Sequence, residues 1–174
     1  DGTHCIAVSN GTAALHMALL ALDVGPGDHV IIPSLTFVAD VNVVNLSGAT
    51  PILADAMSLD DWNMSIESIE KQITEKTKAI IVVHYAGYPC KDISKISEMC
   101  RERGIGLIED VAHAPGASVN GKKCGTFGDV GCFSFFSNKN LSIGEGGMVS
   151  TQCQNLDQKL GYLRSHGMTT LTLD

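Results

Sequence analysis

Short apolar runs alternate along this chain with stretches whose apolar residues recur at helical spacing, and that alternation constrains the fold more than any other feature. Ile6-Ala7-Val8, Val30-Ile31-Ile32, Ile52-Leu53-Ala54, Ala79 to Val83 and Leu107-Ile108 read as buried strands. Between them, Thr12 to Asp23 carries Leu15, Leu19 and Leu22 at i, i+4 and i+7, with Ala14, Met17, Ala18 and Ala21 on its other faces. Thr36 to Leu46 reads as a helix weakened by its β-branched residues. Ile66, Ile69 and Ile73 mark a third helix, and Ile93, Ile96 and Cys100 a fourth, stopped by Gly104. Strands and helices in this order form βαβ units and a largely parallel sheet covered on both faces.

The second half continues differently. Ala117 to Lys122 predicts a hairpin turning at Asn120-Gly121, a pair suited to a type I′ turn. Gly131 to Phe135 and Met148 to Thr151 read as further strands. Leu156, Leu160 and Leu163 mark a last helix that stops near His166-Gly167. The expected class is α/β, a three-layer α/β/α arrangement around a mostly parallel central sheet.

Composition narrows the function. Apolar residues make up 44% and charged residues 18%, as in a globular domain. A formal charge of −7 argues against nucleic acid as a partner, because neutralising phosphates needs a basic face. No run approaches the roughly 20 apolar residues of a membrane span, so no membrane partner is expected. The six cysteines show neither C-x-x-C nor zinc-ligand spacing. They read as buried, reduced thiols of a cytoplasmic protein, and no metal is expected.

In open α/β sheets ligands gather at the carboxyl ends of the strands. Here those ends carry Ser9 to Thr12, Pro33 to Phe37, Asp55, His84-Tyr85 and Asp110 to His113. Ser9-Asn10-Gly11-Thr12-Ala13 is a strand-to-helix junction without bulky side chains. Its free N–H groups and helix dipole suit a phosphate, though an ordinary helix cap would look the same. Asp110 follows the apolar run Ile105 to Ile108. It either caps the turn Val111-Ala112-His113 or holds a cationic ring nitrogen. Lys139 lies between the aromatic run Phe133 to Phe136 and Gly144-Glu145-Gly146-Gly147. An amine beside apolar surface is penalised when charged, which suits a Schiff-base lysine; taken alone, it reads first as a lysine snorkelling from a strand end. Pyridoxal phosphate (PLP) needs all three: a phosphate cradle, a carboxylate for its ring nitrogen, and a lysine.

Two other motifs carry less. Gly116 to Lys122 matches G-x-x-x-x-G-K, but Lys123 stands where the magnesium-binding hydroxyl belongs, and Asn120-Gly121 favours a hairpin. The six histidines show no H-E-x-x-H pattern.

With these residues in view, the chain resembles the DegT-type family of nucleotide-sugar aminotransferases, PLP enzymes of fold type I. The matching stretches are Ser9 to Leu15, Gly25-Pro26-Gly27-Asp28, Pro33 to Ala39, Gly48-Ala49-Thr50-Pro51, Thr77 to Ile81, His84-Tyr85-Ala86-Gly87, Glu109-Asp110 with Ala112-His113-Ala114, and Lys139-Asn140 with Gly144 to Gly147. The resemblance implies that Lys139 carries the cofactor and shuttles a proton and that Asp110 pairs with the pyridine nitrogen. It further implies that Gly11, Thr12, Ala13 and Ser134 hold the phosphate and that Phe37 stacks on the ring. A plain core aromatic is the other reading of Phe37. His113 is either a residue near the ring or substrate, or a satisfied structural histidine.

The resemblance also implies that glutamate donates an amino group to a nucleotide-linked keto sugar, in a homodimer whose sites are completed by the partner. Relatives that remove a hydroxyl carry His in place of the lysine, so Lys139 favours transamination over a PLP-dependent sugar dehydratase. A relative that binds PLP without catalysis is the remaining alternative. Residues 1–174 are expected to form the PLP-transferase large domain, incomplete at both ends and without the family's small C-terminal domain.

Overall fold

A computed structural model describes residues 4–168. Nine strands and five α-helices follow one another as β1 (His4–Val8), α1 (Gly11–Ala21), β2 (His29–Pro33), α2 (Ala39–Leu46), β3 (Thr50–Ala54), α3 (Ile66–Gln72), β4 (Thr77–Val83), α4 (Ile93–Arg103), β5 (Gly106–Asp110), β6 (Ser118–Val119), β7 (Lys122–Lys123), β8 (Val130–Ser134), β9 (Gly147–Thr151) and α5 (Gln154–Arg164). Seven strands form one sheet in the order β1-β9-β8-β5-β4-β2-β3. Strands β8, β5, β4, β2 and β3 pair in parallel, whereas β9 runs antiparallel between β8 and β1.

Alternation along the strands divides the core into two layers. Val30, Ile32, Ala79, Ile81 and Ile108 pack with Leu15 and Leu19 of α1, Val43 and Val44 of α2 and Leu160 of α5. Ile31, Ile80, Val82 and Leu107 face the other way, onto Ile69 of α3 and Ile93, Ile96 and Cys100 of α4. This is the expected α/β/α sandwich, and strands buried on both faces explain why their sequences read as continuous apolar runs. The helical faces drawn from Leu15 and Leu19, and from Ile93, Ile96 and Cys100, are the buried ones.

Several details differ from the sequence reading. Helix α2 begins at Ala39 rather than Thr36, because Phe37 O accepts the Asp40 amide in a turn and the Thr36 hydroxyl bonds to the Asp40 carboxylate. In α5 only Leu160 is fully buried, and Leu163 is exposed. Cys5 and Cys153 are also exposed, whereas Cys90, Cys100, Cys124 and Cys132 are buried. The hairpin forms as expected: Asn120 (φ 50°) and Gly121 (φ 82°) both take the left-handed conformation that a type I′ turn requires. That turn removes the phosphate-loop reading of Gly116 to Lys122. No helix among the described residues is long and apolar enough to cross a membrane.

The topology decides where chemistry can occur. Because β9 alone is reversed, the carboxyl ends of β1, β8, β5, β4, β2 and β3 share one edge of the sheet, joined there by Gly147 at the start of β9.

Candidate active site

Three strands deliver the central groups. β1 ends at Val8 and turns through Ser9-Asn10 into α1; Asn10 Oδ1 caps the helix by accepting the Ala13 amide at 2.8 Å. With Ala13 so engaged and Ala14 bonded to Asn10 O, the first-turn N–H groups of Gly11 and Thr12 have no intrahelical acceptor. β8 brings Ser134 against the same turn. A Cβ on Gly11 would lie 2.8 Å from Ser134 Cβ, and one on Gly147 would lie 2.5 Å from the Asn10 carbonyl, so only glycine lets the three segments meet. The result is a small polar cradle at the positive end of α1, with two amides and the Thr12 and Ser134 hydroxyls at hand, suited to an anion.

β5 supplies Glu109 and Asp110, adjacent residues that point to opposite faces of the sheet. Asp110 is buried, and its Oδ1 accepts the Ala112 amide at 2.8 Å. Burial raises its pKa above the ordinary carboxylate value, while the Ala112 amide, His113, Lys139 and His84 pull in the other direction. Those opposing influences place His113 and Lys139 within electrostatic reach of Asp110. The expected cap of the Val111-Ala112-His113 turn is therefore present.

His113 is half-buried. Its Nδ1 accepts the Ala86 amide at 3.3 Å, and its carbonyl accepts from Asn140 Nδ2 at 3.2 Å. Burial first, then Lys139, lower its pKa, with Asp110 opposing. It is held as a neutral ring with Nε2–H outward. His113 is structurally satisfied at the carboxyl end of β5.

Lys139 follows β8 in a turn where its amide donates to Phe136 O at 2.9 Å. It is half-buried, and Phe136, Leu141 and Ile143 around it are themselves exposed. The apolar packing that the sequence suggested around this amine is therefore not supplied by the described residues of this chain alone. Phe37 is 65% exposed in the loop between β2 and α2. That excludes the core-aromatic reading and leaves its ring free at the sheet's carboxyl edge.

Two features had no part in the sequence reading. On the far face, Glu109 accepts four hydrogen bonds: from His84 Nε2 (2.9 Å) and the amides of Gly125 (2.8 Å), Phe127 (2.6 Å) and Gly128 (2.8 Å). The signal for it was strand alternation: if Asp110 faces one layer, Glu109 must be buried in the other and needs donors. The second is Asp40, fully buried on the Asp110 side, with Oδ1 lacking any hydrogen-bond partner among the described residues.

Beside the site, Trp62, Tyr85 and His113 form an aromatic chain of edge-on contacts, with centroids 5.8 and 6.2 Å apart. Asp61, Trp62, Tyr85, Tyr88 and Lys91 line a cavity of about 540 Å³. Among the described residues no group of three or more His, Cys, Asp or Glu side chains is arranged to hold a metal ion.

Residues 1–172 match the sequence profile of the DegT/DnrJ/EryC1/StrS aminotransferase family. The chain is 48% identical over 161 residues to the GDP-perosamine synthase of Escherichia coli O157:H7, covering 92% of this chain and 44% of that protein. It is 48% identical over 167 residues to the UDP-N-acetyl-3-dehydro-alpha-D-glucosamine 3-aminotransferase of Acidithiobacillus ferrooxidans, covering 94% and 44%. Its fold superposes on that of DesV from S. venezuelae, a structure in complex with a ketimine intermediate, with a TM-score of 0.92 and 36% identity over 99% of this chain and 46% of the other. The chain thus spans a little under half the length of the curated relatives it matches.

Proposed function

Because the chain belongs to the DegT/DnrJ/EryC1/StrS aminotransferase family, we propose that it is the cofactor-binding part of a PLP-dependent aminotransferase that moves an amino group from glutamate to a nucleotide-linked keto sugar. The observation that carries this reading is a buried carboxylate, Asp110, whose charge Lys139 and His113 favour, at the sheet edge that also presents the Gly11–Ser134 anion cradle. The names of the relatives, synthases and aminotransferases of GDP- and UDP-linked sugars, support the substrate class.

The residues fit the cofactor part by part. Gly11 and Thr12 amides with the Thr12 and Ser134 hydroxyls would hold its phosphate, beside Ala13, whose amide already donates to the Asn10 cap. Asp110 would hold its ring nitrogen, Phe37 would cover one ring face, and Lys139 would carry it covalently. When bound, the cofactor supplies an electron sink for the amino-acid Cα. This chain's own groups do the rest. Asp110, kept from water, presents one negative charge at a fixed place. Lys139 Nζ, free of the salt bridges formed elsewhere among the described residues, accepts and returns a proton. His113, neutral, offers Nε2–H as a donor to a substrate oxygen.

The protein works as a homodimer in this reading. Leu35, Phe37 and Val38 in one loop, with Leu141 and Ile143 in another, are all exposed at the catalytic edge. Such apolar groupings mark interfaces, and a partner would supply the apolar cover that Lys139 lacks.

The test is an absorbance spectrum of the protein with PLP, before and after glutamate, followed by addition of a GDP- or UDP-linked keto sugar. Conversion of the bound cofactor by glutamate and its recovery by the sugar are expected. Binding without conversion would favour a non-catalytic relative, and release of water from the sugar without amino transfer would favour a dehydratase.

A further inference from the structure

Lys139 sits on a loop with one hydrogen bond to the rest of the fold. Phe135 and Phe136 close the neck of this loop: the Ile143 amide donates to Phe135 O at 3.0 Å, and Phe136 bridges to Gly144. Inside the neck, the Lys139 amide donates to Phe136 O at 2.9 Å in a turn of the loop's own. Lys139 is half-buried, and Ser137, Asn138, Asn140, Leu141 and Ser142 are exposed, so packing holds the loop only weakly. Among the described residues, a single hydrogen bond ties residues 137–142 to a segment beyond the neck: Asn140 Nδ2 donates to the His113 carbonyl at 3.2 Å. A carbonyl only accepts, so it is the amide nitrogen of Asn140 that faces it.

The acceptor is itself held fast. The Ala114 amide donates to Val111 O at 3.0 Å and closes the turn that follows β5. From the end of β4, the amide of Ala86, in the left-handed conformation (φ 53°), donates to His113 Nδ1 at 3.3 Å. Gly87 lies so close that a Cβ there would stand 3.0 Å from the His113 carbonyl oxygen. Asn140 therefore reaches from a weakly held loop to a point fixed by two strand ends, 27 residues away in sequence.

We propose that Asn140 is a positioning residue for Lys139: its hydrogen bond to the His113 carbonyl anchors the loop to the turn after β5 and so sets where the Lys139 amine can reach. Consecutive Cα atoms are about 3.8 Å apart, so fixing Asn140 fixes the Lys139 backbone beside it. The lysine stem is long and flexible, and a reacting group displaced by about 1 Å loses rate steeply. An anchor present before the cofactor arrives means that this placement is not set up anew at each binding event.

The proposal rests on Lys139 carrying the cofactor, so one arm of the test omits the cofactor. Asn140→Leu keeps the shape of the side chain without its donor, and Asn140→Gln keeps the donor. In Asn140→Leu, hydrogen exchange of the Lys139 amide should speed about threefold to tenfold, the worth of one neutral hydrogen bond. The Phe135 amide, bonded to Gly146 O at 2.9 Å across the neck, should exchange as before. Asn140→Gln should stay within about twofold of the unsubstituted protein at both amides. Equal Lys139 exchange in the unsubstituted protein and Asn140→Leu would overturn the anchor.

The second arm separates placement of the amine from integrity of the site. Pyridoxamine phosphate lacks the aldehyde and so reports only noncovalent contacts. Asn140 is no part of the phosphate cradle, so Asn140→Leu should bind it within about twofold of the unsubstituted protein. Covalent capture of PLP joins Lys139 Nζ to the aldehyde carbon and releases the aldehyde oxygen as water. Trapped with borohydride at saturating PLP, capture should slow about threefold to tenfold in Asn140→Leu and recover in Asn140→Gln. Capture at the normal rate in Asn140→Leu would overturn the proposal, as would pyridoxamine phosphate binding that weakens in step with capture. If the unsubstituted protein binds no pyridoxamine phosphate, or the label falls elsewhere than Lys139, the cofactor reading fails, and amide exchange alone decides whether Asn140 anchors the loop.

Discussion

His84 donates its Nε2–H to Glu109 Oε2 at 2.9 Å with both side chains fully buried, because Nδ1 is already used to accept the Cys90 amide at 3.1 Å. The Cys90 amide orients the ring with Nε2 towards Glu109; burial lowers the His84 pKa, but Cys124 and Glu109 together push it up to about 9. Glu109 is a buried carboxylate that accepts from four donors, three of them amides of the Gly125 to Gly128 segment that leads into β8. One carboxylate therefore ties the ends of β4 and β5 to the start of β8. Its neighbour Asp110 inherits a rigid strand end.

Glu109→Gln should cost about 3–5 kcal/mol of stability, the range for breaking a buried charge pair, since an amide NH2 would face backbone N–H donors. Adding His84→Ala to that background should cost much less than His84→Ala alone, because the two residues form one network. Urea unfolding of the single and double variants measures both. Additive losses would mean that His84 and Glu109 act independently.

The meeting of Gly11, Ser134 and Gly147 gives a second expectation. Gly147→Ala forces a methyl to within 2.5 Å of the Asn10 carbonyl, a backbone atom that cannot rotate away. A loss of about 1–3 kcal/mol is expected, together with weaker protection of the protein by inorganic phosphate against thermal unfolding. Gly161→Ala, where a Cβ meets nothing within 4 Å, is the matched control. Equal behaviour of the two variants would show that the cradle tolerates widening.

The strands and most helices were legible because strands buried on both faces and helices with one buried stripe leave distinct patterns. Leu15 with Leu19, and Ile93 with Ile96, were readable from spacing alone. The reversal of β9 was not, because nothing in Gly147 to Thr151 encodes direction, which is set by the chain that follows β8. Asp110, Lys139 and the α1 start were readable as site candidates because each ends or follows an apolar strand. The burial of Asp40 was not legible, since an acid in the first turn of a helix ordinarily signals a solvated dipole partner rather than a buried acid. Lys139 shows the converse. Its apolar neighbours are present in sequence but exposed in the fold, so local sequence alone overstated its burial.

Cysteine reactivity should follow the division between exposed and buried thiols. Cys5 and Cys153 are exposed, and burial pushes Cys90 and Cys100 up to about 12. Brief alkylation of the native protein should label Cys5 and Cys153 alone, with Cys90, Cys100, Cys124 and Cys132 labelled after denaturation. Labelling of Cys132 in the native state would show that the Asp110 face of the sheet opens to solvent.

Borohydride reduction after incubation with PLP should fix a pyridoxyl group on Lys139. Lys122 and Lys123 are the chemical competitors, but Lys123 donates to Gly116 O at 2.8 Å and Lys122 lies 4.7 Å over the Phe127 ring, at the hairpin and away from the cradle. Peptide mapping decides. A label on either hairpin lysine would remove Lys139 from its proposed place.

Asp110→Asn separates the chemical role of this carboxylate from its structural one. The amide oxygen still accepts the Ala112 N–H, and the buried charge, which raises the Asp110 pKa through desolvation, is gone. The fold should therefore be retained, with stability equal to or above that of the unsubstituted protein near pH 7, because the cost of burying a carboxylate disappears. Conversion of bound cofactor by glutamate should nevertheless slow by about ten- to a hundredfold, the worth of one hydrogen bond to a charged group in the transition state. Lys139→Ala supplies the contrast: it should stop conversion outright while leaving noncovalent binding of pyridoxamine phosphate nearly unchanged. Single-turnover rates with glutamate, measured beside urea unfolding, read both quantities. An Asp110→Asn variant that unfolds more easily yet converts cofactor at the normal rate would make Asp110 a turn cap and nothing more.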